Sequence, residues 1–126
     1  MRQRVAICVA GGLLTVSAAA FAHHGAANYD MKKSITVKGT VTEFQFKNLH
    51  TLIYIDVKDE SGGTQKWQGE LTSPNHLARV GWSQSTLKVG DEITLIGAPS
   101  KSGATVLWIQ KVLSPTGVEL KTSDAN

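Results

Sequence analysis

The 126-residue chain contains a single cysteine, Cys8, so it can form no internal disulfide and no multi-thiolate metal centre. It has no Gly-x-Ser-x-Gly turn and no Gly-x-x-x-x-Gly-Lys loop, so two common settings for acyl and phosphoryl chemistry are missing. Its lysines and arginines do not cluster as a nucleic-acid surface requires. The acids Asp56, Asp59 and Glu60 lack EF-hand spacing and suit a solvated hairpin tip. No internal repeat or second domain is visible. Together these absences point to a small binding protein, not an enzyme, with no nucleic-acid partner.

The first residues read as a leader. Arg2 and Arg4 are followed by "VAICVAGGLLTVSAAAFA", an uncharged run from Val5 to Ala22 that ends with Ala20 and Ala22 in an A-x-A pattern. A basic start, an apolar centre and a small-residue end make residues 1–22 a cleaved signal peptide by expectation, with the periplasm as destination. A retained helix would need ~20 apolar residues without such a site, so no membrane span is expected after cleavage. Cys8 lies too near the start to be a lipoprotein cysteine, and it leaves with the leader. Arg2 and Arg4 leave too, so 11 of the 13 basic residues face 10 acidic ones and the mature charge is near +1. About 100 residues suit one domain with a usable core.

Residues 23–34 show no apolar period and read as an extended or loosely held arm. Residues 35–120 read as the folded domain and 121–126 as a disordered tail. In "ITVKGTVTEFQF", Ile35, Val37 and Val41 share one parity, while Phe44 and Phe46 share the other. That change near Thr42–Glu43, downstream of Gly39, predicts a bulged or coiled strand. "TLIYIDVKD" places Ile53, Ile55 and Val57 on one face, and the turn "SGG" leads into "TQKWQGEL" with Trp67 and Leu71. "SPNHLARVGW" is a short helix capped by Ser73, opened by Pro74 and stopped by Gly81, with Leu77 and Val80 turned inward. "LKVGDEITLIG" and "TVLWIQKVL" are two further strands. Three strands, a short helix and two strands predict an all-β, five-stranded OB-like barrel, with a split sandwich as the alternative.

Cleavage after Ala22 would make His23 the first residue. Its α-amine and imidazole can chelate one metal ion, and a third nitrogen would complete a T-shaped site suited to divalent copper. His24 can compete or assist. The amino-terminal copper and nickel tripeptide needs His at position three, where Gly25 stands. His50, at the start of the second strand, is the expected third ligand, on the parity of Leu52 and Tyr54. His76 sits on the short helix and reads as solvent-facing. Asn48 and Tyr29 are candidates to orient the imidazoles. Asn75 and Arg79 lie four apart on the helix. Arg79 is expected to pair with Glu70 or cap a carbonyl; with Asn75 and Trp82 it could instead line a pocket for a ligand or partner.

The stretches "AHHGAANYD", "GTVTEFQFKNLH", "WQGELTSPNHLARVGW" and "LKVGDEITLIGAPSKSG" resemble a family of uncharacterised exported bacterial proteins. Its members begin with His-His-Ser or His-His-Ala and carry Asn-Pro-His, Ser-Pro-Asn-x-Leu-x-Arg-x-Gly-Trp and Leu-Lys-x-Gly-Asp motifs. The resemblance runs from His23 to about Leu113 and implies a small periplasmic β-barrel of unknown function. It maps onto His23, His24, Asn48, His50, Ser73, Pro74, Asn75, Leu77, Arg79, Gly81 and Trp82. Leu49 stands where the family usually has proline, and Phe46 where it often has tryptophan. The resemblance supplies no reaction; the pairing of a new N-terminal His with a His fixed on a strand makes binding of copper, or a similar divalent ion, through His23, His24 and His50 the expected function. The alternative is a barrel that captures an envelope component through Asn75, Arg79 and Trp82.

Overall fold

Alternation in β2 (Leu52–Lys58) decides which side of the sheet faces inward: Ile53 and Ile55 are fully buried while Leu52 and Tyr54 are only half-buried. The same logic buries Ile93 and Leu95 on β4 (Glu92–Pro99), and Leu107, Ile109 and Val112 on β5 (Val106–Leu113). β1 (Ile35–Gln45) and β3 (Thr64–Glu70) complete the ring. These elements come from a computed structural model that describes residues 26–123. The expected leader, residues 1–22, and the histidines His23 and His24 lie outside the described residues.

β1 runs antiparallel to β2 and β4, β2 to β3, and β4 to β5. A parallel pairing of β3 with β5 closes the barrel, through Gln68 with Val106, Gly69 with Leu107 and Glu70 with Trp108. This is an all-β, five-stranded barrel of the OB type, and the split sandwich is excluded by the closure. A short sixth strand, β6 (Glu119–Leu120), pairs with β5 outside the ring.

Along its length β1 passes from pairing with β4 (Ile35 to Thr40) to pairing with β2 (Thr40 to Gln45), and it does so by bending. Val41 faces Ile55 but Glu43 faces Tyr54, which leaves Thr42 as the extra residue of a bulge. The parity change expected from the sequence falls there. It sends Val41 into the core and sets Phe44 and Phe46 against the core's edge. Gly39 allows the bend because a Cβ there would lie 2.4 Å from the Asp56 carbonyl oxygen.

The helix α1 (Pro74–Arg79) joins β3 to β4. Ser73 caps it by accepting the His76 N–H at 3.4 Å, and Pro74 needs no partner at the first position. Gly81, at φ +98°, ends it in the left-handed region. Leu77 is its buried residue and packs in the core with Leu71, Trp82 and Leu87.

Two segments are held more firmly than their composition suggests. In the arm, the Asp30 N–H donates to the Pro99 carbonyl at 2.8 Å, and the Lys101 N–H donates to the Asn28 carbonyl at 3.0 Å. Tyr29, bridged to Ser100, is buried at 5 % exposure. A single anchoring aromatic produces no period, so alternation could not announce it. Beyond β6, the Lys121 carbonyl accepts the Trp82 indole N–H at 2.7 Å and the Thr122 hydroxyl donates to the Gln110 carbonyl at 3.3 Å. Among the described residues no helix is long and apolar enough to cross a membrane.

Candidate functional site

Because Gly69 points into the barrel, Glu70 points out, and because Leu107 and Ile109 point in, Trp108 points out. The parallel pairing sets Glu70 beside Trp108, and Leu52 pairs with Glu70 from the other side. His50 lies just before β2. The backbone next to it is pinned by the Thr51 N–H donating to the Thr72 carbonyl and the Leu71 N–H donating to the Thr51 carbonyl. These constraints bring the His50 Nδ1 into contact with Glu70 Oε1.

The second carboxylate oxygen is also taken. The Tyr29 hydroxyl donates to Glu70 Oε2 at 2.6 Å. Trp108 backs the group: the His50 ring meets it edge-on at 5.8 Å between centroids, and the Tyr29 ring lies 6.0 Å from it. The side chains of His50 and Glu70 are 28 % and 15 % exposed, so the carboxylate is the more sheltered of the two. Tyr29, His50, Glu70 and Trp108 thus form one cluster on the outer wall of the barrel.

Burial holds the Tyr29 phenol well above its ordinary pKa of 10.0, and the hydrogen bond and charge of Glu70 add to the shift. The folded protein therefore keeps this proton at a pH where the unfolded chain releases it. Stability from this group is complete below about pH 10 and falls above it, by up to about 1.4 kcal/mol per pH unit. Tyr29→Phe should flatten the alkaline decline of stability between pH 10 and 11.5, measured by urea unfolding. A wild-type slope equal to that of the variant would refute the coupling.

His50 and Glu70 border a cleft of about 370 Å³ together with Asn28, Lys47, Asn48 and Gln68. Asn48 is exposed at its rim, and the Asn48–Leu49 peptide is cis. Asn28 brings the arm to the same cleft, only a few residues after His23 and His24. Among the described residues no group of three or more histidine, cysteine or acidic side chains could hold a metal ion. A metal at His50 would need further ligands from elsewhere.

The helix residues fall in a different place. Asn75 and Trp82 border a wider, open groove of about 740 Å³ with Phe46, Asn48, Pro74 and Ser85. Arg79 is exposed and is not among its lining residues. The expected pairing of Arg79 with Glu70 is not formed; the Glu70 carboxylate oxygens meet Tyr29 and His50 instead. Trp82 is buried and spends its N–H on Lys121. His76 is exposed, and its Nδ1 lies 3.3 Å from the Ser73 hydroxyl of its own helix cap. Asp59 accepts the Ser61 hydroxyl and the Ser61 and Gly63 N–H groups, so its carboxyl sits below the usual range and serves the hairpin turn.

Sequence reasoning passed over Trp108 and gave Glu70 the wrong partner. The outward parity of both is readable, flanked as they are by inward residues. Their adjacency depends on which strands close the ring. A model described as a family of unknown function (DUF6152) matches residues 10–107. No curated protein matches the chain.

Proposed function

The chain belongs to this family of unknown function, and we propose that it is an exported, periplasmic barrel that binds copper or a similar divalent ion through His23, His24 and His50. The observation that carries this reading is the contact of Glu70 with His50 Nδ1. Metal-ligating histidines characteristically give one ring nitrogen to a carboxylate and the other to the metal. With Nδ1 directed at Glu70, Nε2 is the nitrogen a metal would take.

Reach supports the same reading. Asn28 borders the cleft at His50, and His24 precedes it by four residues, a span of up to about 14 Å of extended chain. His23 adds its imidazole and, once the leader is removed, the α-amine. Nitrogen ligands of this kind suit divalent copper. Asn48 stands at the rim, and Tyr29 acts on the histidine through Glu70. The role in this reading is binding, with no turnover. The alternative, capture of an envelope component, has the groove at Asn75 and Trp82 in its favour. Arg79 is not among the residues that line that groove.

Copper titration of protein beginning at His23, against protein with one additional residue before it, tests the reading. The extension and His50→Ala should each weaken binding by about a hundredfold, or about 2.7 kcal/mol. Equal affinity with the extension removes the amine from the site, and equal affinity in His50→Ala removes the site itself.

A further inference from the structure

We propose that Tyr29 and Glu70 form a hydrogen-bond relay that fixes His50 as the tautomer carrying its hydrogen on Nδ1. A carboxylate offers only acceptors. Oε2 of Glu70 accepts the Tyr29 hydroxyl at 2.6 Å, and Oε1 faces the His50 ring nitrogen. Two lone pairs cannot face each other at contact distance, so Nδ1 bears the hydrogen and donates it. In the neutral ring the remaining lone pair then belongs to Nε2.

Shelter makes the choice decisive. Glu70 is only 15 % exposed on its side chain, and Trp108 packs against both aromatic partners of the relay. Water is therefore poorly placed to replace either hydrogen bond, and in such surroundings each bond counts for more. The relay is also tied to the backbone, since Tyr29 is bridged to Ser100 at the end of β4. The residue that fixes the carboxylate thus also fixes where the arm leaves the barrel. Glu70 and Tyr29 are positioning residues: they set which nitrogen of His50 can donate an electron pair. The use of that pair for a metal rests on the reading above, whereas the tautomer is a property of the metal-free protein.

The test is a long-range proton–nitrogen correlation spectrum of metal-free, nitrogen-15-labelled protein beginning at His23, recorded where imidazole is neutral. His50 should appear predominantly as the Nδ1–H form. Glu70→Leu and Tyr29→Phe should each lower that fraction, while His76, held by Ser73, stays unmoved. Tyr29→Phe keeps the ring against Trp108, so it reports the relay even where Glu70→Leu does not fold. A predominantly Nε2–H His50 in the wild type, or an unchanged fraction in folded variants, overturns the proposal. Copper titration supplies a separate arm: Glu70→Leu should weaken binding about 10- to 100-fold. Equal copper affinity in folded Glu70→Leu, beside a loss in His50→Ala, counts against the relay. A wild type that takes no copper refutes the metal reading alone, and the spectrum still decides the tautomer.

Discussion

Gly97→Ala is expected to cost more than about 4 kcal/mol and to lower the melting temperature by on the order of 20 °C. A Cβ at Gly97 would lie 1.9 Å from the carbonyl oxygen of Trp108 and 2.8 Å from its carbonyl carbon. Those are backbone atoms of the facing strand, so no rotamer change relieves the clash. The position lies at the irregularity where Ile96 faces Lys111 but Gly97 faces Ile109. β5 would have to retreat from β4, and β5 also closes the barrel on β3. Gly69 makes a useful contrast, because its Cβ would meet the tip of Ile109 at 2.4 Å and of Leu95 at 3.0 Å. Side-chain tips can turn, so Gly69→Ala should cost only about 1–3 kcal/mol. Urea unfolding of both variants checks the ranking, and a Gly97→Ala protein as stable as Gly69→Ala would refute it. Since Trp108 backs His50, a Gly97→Ala protein that does fold should also show a disturbed His50 environment.

Trp82→Ala should cost about 3–5 kcal/mol, the range for emptying a buried aromatic site. Trp82 is 5 % exposed and lies 6.0 Å from the Phe44 ring, and its N–H is the donor for the Lys121 carbonyl. It thereby joins the bent half of β1 to the segment after β6. Trp82→Phe separates the two contributions, because it keeps most of the packing and loses the hydrogen bond, for about 1–2 kcal/mol. Copper affinity of the folded fraction should be unchanged in both variants, since Trp82 does not border the cleft at His50. A Trp82→Ala protein of wild-type stability would refute its role in the core.

Much of the barrel was legible because alternation is local. Ile53 and Ile55, or Ile93 and Leu95, announce their buried face within a single strand. Ser73, Pro74 and Gly81 mark the helix because each residue type suits one backbone position. Even the bend of β1 appeared, as a shift of parity at Thr42–Glu43. Tyr29 was legible only as a candidate near the histidines, since one anchored aromatic in a polar arm has no repeat to reveal it.

By itself, then, the sequence determined which residues turn inward, where the helix starts and stops, and that His50 stands on the outer parity of its strand. Only the tertiary structure decided that Glu70 would meet His50 and Tyr29 in place of Arg79, and that Trp108 would back them. The physical reason is distance along the chain. Side-chain direction follows from the geometry of neighbouring residues. The Glu70–Trp108 pairing, by contrast, exists only because β5 closes parallel on β3, and the Tyr29 contact only because the arm docks against the end of β4.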